Sequence, residues 1–219
     1  MIRGCIFDAD GTLLDSMKIW DDLGRRYLLS KGIEADESLN QILFPMTMEE
    51  SSAYLQKHYL PSLTEREIEK GFMNLIAESY EKEISAKKGA VSLIHSLYEK
   101  NIPLIVATTS DPDLIRSALK RLHMLDCFTD VLDTESMHTD KAHPDIYFRA
   151  CQIMHTSVSE TAVFEDTLIP VRTAKKAEFQ VVAIEDDASR NDREIIQKTA
   201  DLYLRDFTET EKLLKWLNA

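Results

Sequence analysis

The sequence is poor in cysteine, and it has no long apolar run. Its three cysteines, Cys5, Cys127 and Cys151, lie far apart and form no Cys-x-x-Cys pair. This argues against a disulfide framework or a zinc site, so we expect buried thiols in a reducing, cytoplasmic compartment. No segment approaches the roughly 18 apolar residues of a membrane helix. We therefore expect no membrane span, and the first residues do not resemble a secretory signal.

Basic residues are also scarce, since 26 lysines and arginines stand against 38 aspartates and glutamates, for a formal charge of −12. Binding to DNA or RNA depends on cations that neutralise phosphates, which argues against a nucleic-acid partner. A phosphorylated small molecule would need a locally positive site, and a metal ion is the expected source. The same net charge favours a monomer.

Glycine and proline are few, at six each, and no stretch rich in them marks a linker. Instead, short apolar runs alternate with helical patterns. The runs cover 2–7, 104–107, 131–132, 162–164, 181–184 and 202–204, and the helical patterns cover 90–99, 113–122, 145–154, 171–177 and 193–199. This alternation predicts an α/β fold, a Rossmann-like doubly wound parallel sheet covered on both faces.

Residues 16–85 interrupt the alternation, because they show helical patterns and no convincing strand. Two capping-box signatures, Thr47 with Glu50 and Thr64 with Glu67, each predict the start of a helix. We therefore predict two domains, an α/β core of residues 1–15 and 86–219 and an inserted helical cap of residues 16–85.

Polar residues follow the predicted strands. In an open parallel sheet, ligands bind beyond the carboxyl ends of the strands, so these side chains are expected to converge. They are Asp8 and Asp10 after the first strand, Thr108 and Thr109 after the second, Glu165 and Asp166 after the fourth, and Lys141 before the helix near Pro144.

Such a cluster has a specific chemistry. Carboxylates brought together raise one another's pKa, and a hard cation such as Mg²⁺ relieves the conflict. One carboxylate can act as a nucleophile and form an acyl phosphate. A second, two residues away, can protonate the leaving alcohol and then activate water. A lysine, a hydroxyl and a metal ion stabilise the transferring phosphoryl group.

The segment Asp8-Ala9-Asp10-Gly11-Thr12-Leu13 resembles the Asp-x-Asp-Gly-Thr-Leu signature of the haloacid dehalogenase-like (HAD) hydrolases. Three later segments resemble the other motifs of that family in order: 105–110 the hydroxyl motif, 141–147 the lysine motif and 163–167 the acidic motif. The helical insert falls where the β-phosphoglucomutase-like and phosphatase subgroup carries its α-helical C1 cap. The resemblance covers essentially the whole chain.

The resemblance implies roles for individual residues. Asp8 would be the nucleophile, and Asp10 the general acid and base. The phosphate would be held by Thr108, Thr109 and Lys141, and Mg²⁺ by Asp8, Asp166, Glu165 and the backbone carbonyl of Asp10. Trp20 in the cap is a candidate for substrate contact.

The function so implied is that of a phosphoric monoester hydrolase, a Mg²⁺-dependent phosphatase that acts on a small phosphorylated metabolite through an aspartyl-phosphate. A sugar phosphomutase is the first alternative; it relies on a cap histidine whose place here holds Trp20, and indole has no basic nitrogen. A receiver-like phosphoacceptor module without turnover is the second, and Asp10 and the helical insert argue against it.

Two departures from the family pattern bear on the structure. Glu178 stands where a glycine usually ends a helix, and a left-handed backbone there would cost roughly 1 kcal/mol. Pro170 is expected to start that helix, since proline fits a first turn.

Asp186 and Asp187 are expected to form a charged loop.

Overall fold

The computed structural model describes residues 1–218, which contain six β-strands and ten α-helices. The strands are β1 (Gly4–Phe7), β2 (Leu104–Thr108), β3 (Asp130–Asp133), β4 (Thr161–Glu165), β5 (Gln180–Ile184) and β6 (Leu202–Leu204). The helices are α1 (Met17–Ser30), α2 (Ser38–Leu43), α3 (Met48–His58), α4 (Glu65–Lys82), α5 (Ala90–Glu99), α6 (Pro112–Arg121), α7 (Asp145–Met154), α8 (Leu168–Lys176), α9 (Arg193–Thr199) and α10 (Thr210–Asn218).

The six strands form one parallel sheet in the order β3-β2-β1-β4-β5-β6. The chain winds outward from β1 to β3 and then returns to the other side of β1 as β4. This reversal leaves a crevice beyond the carboxyl ends of β1 and β4. The predicted fold class, a doubly wound α/β sheet, is confirmed.

The central strands β1, β2 and β4 are buried along their whole length, which explains their uninterrupted apolar sequences. On one face, Ile6 and Val163 belong to a core cluster with residues of α7, α8 and α9. On the other face, the rings of Phe7 and Phe164 stack with centroids 4.2 Å apart. Each fully buried apolar side chain contributes about 1.5–3 kcal/mol, so these two layers hold the strand ends in place.

The chain divides into two compact units, Ser16–Glu83 and the remainder, which carries the sheet. The first of these, here called the helical unit, contains α1 to α4. Both predicted capping boxes form: Thr47 accepts the N–H of Glu50, and Thr64 accepts the N–H of Glu67. Inside this unit, the ring of Tyr27 packs edge-on against that of Phe72, with centroids 5.1 Å apart.

Several local expectations can now be compared with the structure. All three cysteines are free and buried, as expected. No helix among residues 1–218 is both long and apolar enough to cross a membrane.

Glu178 does adopt a left-handed backbone, with φ of +68°. Helix α8 begins at Leu168 rather than at Pro170, so the proline occupies its third position. It still lies in the first turn, where backbone N–H groups have no partner within the helix.

Candidate active site

Asp8 lies at the first residue beyond β1, at the crevice between β1 and β4. Its N–H donates to the carbonyl of Phe164 at 2.9 Å, which ties the end of one strand to the other. The chain then turns back, because the N–H groups of Leu13 and Leu14 both donate to the carbonyl of Ala9. Gly11, with φ of +84°, permits this turn. The Asp8 side chain is buried at the base of the turn.

Lys141 joins the two central strands through their acidic side chains. Its Nζ donates to Oδ1 of Asp8 and to Oε1 of Glu165, the latter at 2.6 Å. The hydroxyl of Tyr147 also donates to Oε1 of Glu165, at 3.3 Å. Burial alone would lower the pKa of Lys141, but the charges of Asp8 and Glu165 raise it above its usual value. The ammonium is therefore protonated at neutral pH and orients both carboxylates.

Asp166 lies beside this pair with half of its carboxylate unpartnered. Its Oδ1 accepts a hydrogen bond from the Thr12 hydroxyl at 2.9 Å. Its Oδ2 is buried and has no hydrogen-bond partner among residues 1–218. A Cβ atom at Gly11 would collide with this carboxylate, so glycine is needed there for space as well as for the turn. Burial, reinforced by the charges of Asp8 and Glu165, raises the pKa of Asp166 well above its usual value.

Asp8, Glu165 and Asp166 form one acidic cluster, in which each offers a carboxylate oxygen within 4.8 Å of the others. Burial raises the pKa of Asp8 to about 7, although the charge of Lys141 opposes the shift. When all three carboxylates are ionised, they exceed the one ammonium by two negative charges. The donor set fits a divalent cation such as Mg²⁺, because it offers hard oxygen ligands, an orphaned buried oxygen and the matching charge.

Asp10 and Thr108 are linked through a residue that follows β2. Ser110 donates its hydroxyl to Oδ2 of Asp10 at 2.6 Å, and its N–H to the hydroxyl oxygen of Thr108 at 3.0 Å. The Asp10 side chain lies outside the acidic cluster. Thr108 is buried and Thr109 is exposed. The Asp10 carboxylate is thus held at the same edge of the sheet as Asp8, because β1 and β2 are parallel neighbours.

The structure therefore brings four of the predicted residues together, Asp8, Lys141, Glu165 and Asp166, and joins Asp10 to Thr108. It shows no contact between Thr109 and the acidic cluster among the described residues. Trp20 lies in the helical unit, where 38% of its surface is exposed.

One buried ion pair near the site was not anticipated. Asp186, which follows β5, is only 7% exposed, and its Oδ2 accepts from Nζ of Lys87 at 2.5 Å. The two aspartates do follow β5 as a charged segment, but Asp186 is buried, whereas the side chain of Asp187 is 94% exposed. The charge of Asp186 also helps to raise the pKa of Asp166. No sequence motif signals this pair, whose members are 99 positions apart.

Comparison with known proteins places these features in a family. The family described as haloacid dehalogenase-like hydrolase matches residues 5–184. A validoxylamine A 7'-phosphate phosphatase from Streptomyces hygroscopicus subsp. limoneus is 26% identical over 216 residues, covering 95% of this chain and 96% of that protein. A β-phosphoglucomutase from Bacillus subtilis is 24% identical over 220 residues, covering 93% and 92%.

The fold has close relatives among solved structures. A HAD family hydrolase from Deinococcus radiodurans R1, solved with bound phosphate and sodium, superimposes with a TM-score of 0.76 at 17% identity. The match covers 99% of this chain and 96% of that one. At this level of identity, the likeness concerns the fold.

Proposed function

The chain belongs to the haloacid dehalogenase-like hydrolase family and is a phosphoric monoester hydrolase, and we propose that it uses Mg²⁺ to dephosphorylate a small metabolite through a phosphate ester on Asp8. One observation carries the proposal: Lys141 donates to buried Asp8 beside an Asp166 carboxylate whose Oδ2 has no hydrogen-bond partner in the described part of the chain. This is the arrangement of an oriented nucleophile next to a cation site.

Asp8 carries out the first step. A carboxylate oxygen of Asp8 attacks the phosphorus atom, and the bond between phosphorus and the ester oxygen of the substrate breaks. Lys141 holds Asp8 in one orientation and supplies positive charge as the phosphoryl group arrives. Its second hydrogen bond, to Glu165, keeps the ammonium from turning away.

Asp10 moves the proton in both steps. It donates a proton to the departing alcohol oxygen, and it then accepts one from the water that attacks the aspartyl-phosphate. The bond between phosphorus and Asp8 breaks in this second step, which releases inorganic phosphate and restores the carboxylate. The hydrogen bond from Ser110 holds Asp10 in position for both transfers, and Thr108 lies next in the same chain of contacts.

Asp8, Glu165, Asp166 and the backbone carbonyl of Asp10 are the proposed ligands of Mg²⁺. When bound, the cation supplies positive charge that offsets the carboxylates and the phosphoryl oxygens. Gly11 and Thr12 position the Asp166 carboxylate for this role, the first by leaving space and the second by a hydrogen bond.

The test is release of phosphate from p-nitrophenyl phosphate, with Mg²⁺ or with EDTA, beside a panel of sugar phosphates, nucleotides and phosphoglycolate. We expect release that depends on Mg²⁺ and disappears in Asp8→Asn. The matched control is Asp187→Asn, which removes the same charge at an exposed position and should keep full activity. Equal activity in EDTA, or an active Asp8→Asn protein, would contradict the proposal.

A further inference from the structure

A fourth carboxylate lies beside the acidic cluster without belonging to it. Asp186 is the second residue after β5, and Asp166 is the first after β4. These strands are parallel neighbours in which Glu165 lies opposite Ala183, so both aspartates lie just beyond the carboxyl edge of the sheet. Because adjacent strands are about 4.8 Å apart, the charge of Asp186 is close enough to act on Asp166.

Asp186 is held in this position by both of its carboxylate oxygens. Its Oδ2 accepts from Nζ of Lys87 at 2.5 Å, and its Oδ1 accepts from the N–H of Ala188 at 2.8 Å. Nζ of Lys87 also donates to the carbonyl of Glu185 at 3.3 Å. The side chains of Lys87 and Asp186 are only 12% and 5% exposed, so water screens their charges much less than it screens a surface ion pair.

The backbone of Lys87 connects this pair to the turn that follows β1. The N–H of Lys87 donates to the carbonyl of Leu13 at 2.8 Å. Thr12, the preceding residue of that turn, donates its hydroxyl to Oδ1 of Asp166. The ion pair is therefore joined to the segment that orients Asp166, which fixes the position of one carboxylate relative to the other.

The charge of Asp186 acts on Asp166 without a hydrogen bond between them. Burial is the largest cause of the raised pKa of Asp166, and the charge of Asp186 adds to it. A negative charge that disfavours a neighbouring bare carboxylate favours a divalent cation at the same place. Asp186 can have this effect without being a ligand, because both of its oxygens are already engaged.

We propose that Asp186 strengthens the binding of a divalent cation by the acidic cluster through its charge, and that Lys87 holds it in place for this purpose. The inference rests on the cation site of the function proposed above. Both residues lie outside the four segments that resemble family motifs, so this influence on the site belongs to the packing of this chain.

The test measures cation binding without substrate or turnover. Mn²⁺, which also prefers oxygen ligands, is titrated into the protein at pH 8, and the free ion is counted by electron paramagnetic resonance. Asp186→Asn removes the charge and nearly preserves the shape, so we expect its Kd for Mn²⁺ to rise by about tenfold. Asp186→Glu keeps the charge and changes the shape, so we expect its Kd to stay within about twofold of the unmodified protein.

Asp201→Asn is the matched control. Asp201 also accepts from a lysine, Nζ of Lys175 at 2.7 Å, and from a backbone N–H, that of Val181 at 2.7 Å. It precedes β6, at the opposite edge of the sheet, so its loss should leave Mn²⁺ binding unchanged. Asp166→Asn should lose the binding, which identifies the titrated site as the acidic cluster. Thermal unfolding in EDTA shows that each variant is folded.

The outcomes separate this inference from the proposed function. Equal Kd values for the unmodified protein and Asp186→Asn would overturn the role of Asp186 and leave the cation site intact. Weaker binding by Asp186→Glu than by Asp186→Asn would show that shape matters instead of charge, and would overturn it as well. If Asp186→Glu does not fold, the comparison of Asp186→Asn with Asp201→Asn still decides the question.

Two outcomes concern the proposed function itself. Absence of stoichiometric Mn²⁺ binding by the unmodified protein would refute the cation site and the role of Asp186 with it. The expected order of Kd values in a protein that hydrolyses no phosphate ester would support the role of Asp186 and refute the phosphatase.

Discussion

Replacing Asp166 by asparagine removes a charge from the acidic cluster and nearly preserves the shape of the side chain. Asparagine keeps an oxygen for the Thr12 hydroxyl and places a neutral NH₂ group at Oδ2, which has no hydrogen-bond partner among residues 1–218. It also removes one of the three ionisable carboxyl groups of the acidic cluster. Because folding raises the pKa of the Asp166 carboxyl, the folded protein loses stability as the pH rises above the unfolded pKa, and the loss is complete above the folded pKa. The substitution removes this penalty.

The magnitude follows from the removed charge. A buried polar group without a partner costs about 1–3 kcal/mol and a charged one costs more, so the neutral amide lowers a penalty that the Asp166 carboxylate carries. Relief of about 2 kcal/mol corresponds to an increase in Tm of about 4–8 °C for a chain of this length. We therefore expect Asp166→Asn to melt at a higher temperature than the unmodified protein in EDTA at pH 8, while it loses phosphatase activity.

In Mg²⁺, we expect the unmodified protein to melt at a higher temperature than Asp166→Asn. A ligand at 100 times its Kd stabilises a protein by about 2.7 kcal/mol, and Asp166→Asn should gain little of this. The assay is thermal unfolding by circular dichroism in EDTA and in MgCl₂, with Asp187→Asn as a control that responds like the unmodified protein. A Tm of Asp166→Asn below that of the unmodified protein in EDTA, or an equal rise in Tm of both proteins with Mg²⁺, would contradict this expectation.

Three further substitutions test other parts of the account. Gly11→Ala drives a methyl group into the Asp166 carboxylate. We therefore expect at least about a tenfold loss of kcat/KM and a smaller rise of Tm with Mg²⁺. Full activity would contradict the close packing of Gly11 against Asp166. Lys87→Met leaves Asp186 buried and unpaired, which should cost about 3–5 kcal/mol, seen as a lower urea midpoint that Asp186→Leu partly restores. Glu178→Gly relieves a backbone φ of +68° and should raise stability by about 1 kcal/mol in the same urea assay, whereas no change would mean that this residue is unstrained.

The sheet could be predicted because its central strands are buried on both faces and therefore carry continuous apolar runs. Each of the six predicted runs overlaps one strand of the sheet. The first strand is shorter than its apolar run, and the cause lies far along the chain. The N–H of Ile2 donates to the carbonyl of Leu217 near the end of α10, so the ladder begins only at Gly4.

The acidic cluster could be predicted for a similar reason, since topology alone places Asp8, Glu165 and Asp166 at neighbouring strand ends. The hydrogen-bond partners that orient these carboxylates were harder to predict from the sequence. Ser110 lies inside a recognised motif, but its bond to Asp10 depends on how the segment after β2 turns. The Lys87–Asp186 pair depends wholly on packing and has no local signature.

In the proposed mechanism, Asp8 carries the phosphoryl group between the two steps. Sodium borohydride reduces an acyl phosphate of aspartate to homoserine, which mass spectrometry locates in a digest. The reaction with p-nitrophenyl phosphate and Mg²⁺ should be quenched with borohydride during turnover. It should be run with the unmodified protein and with Asp10→Asn, in which hydrolysis of the aspartyl-phosphate is slower. We expect homoserine at position 8 only when substrate is present, and none in Asp8→Asn. Rapid release of phosphate with no modification of Asp8 in either protein would contradict it.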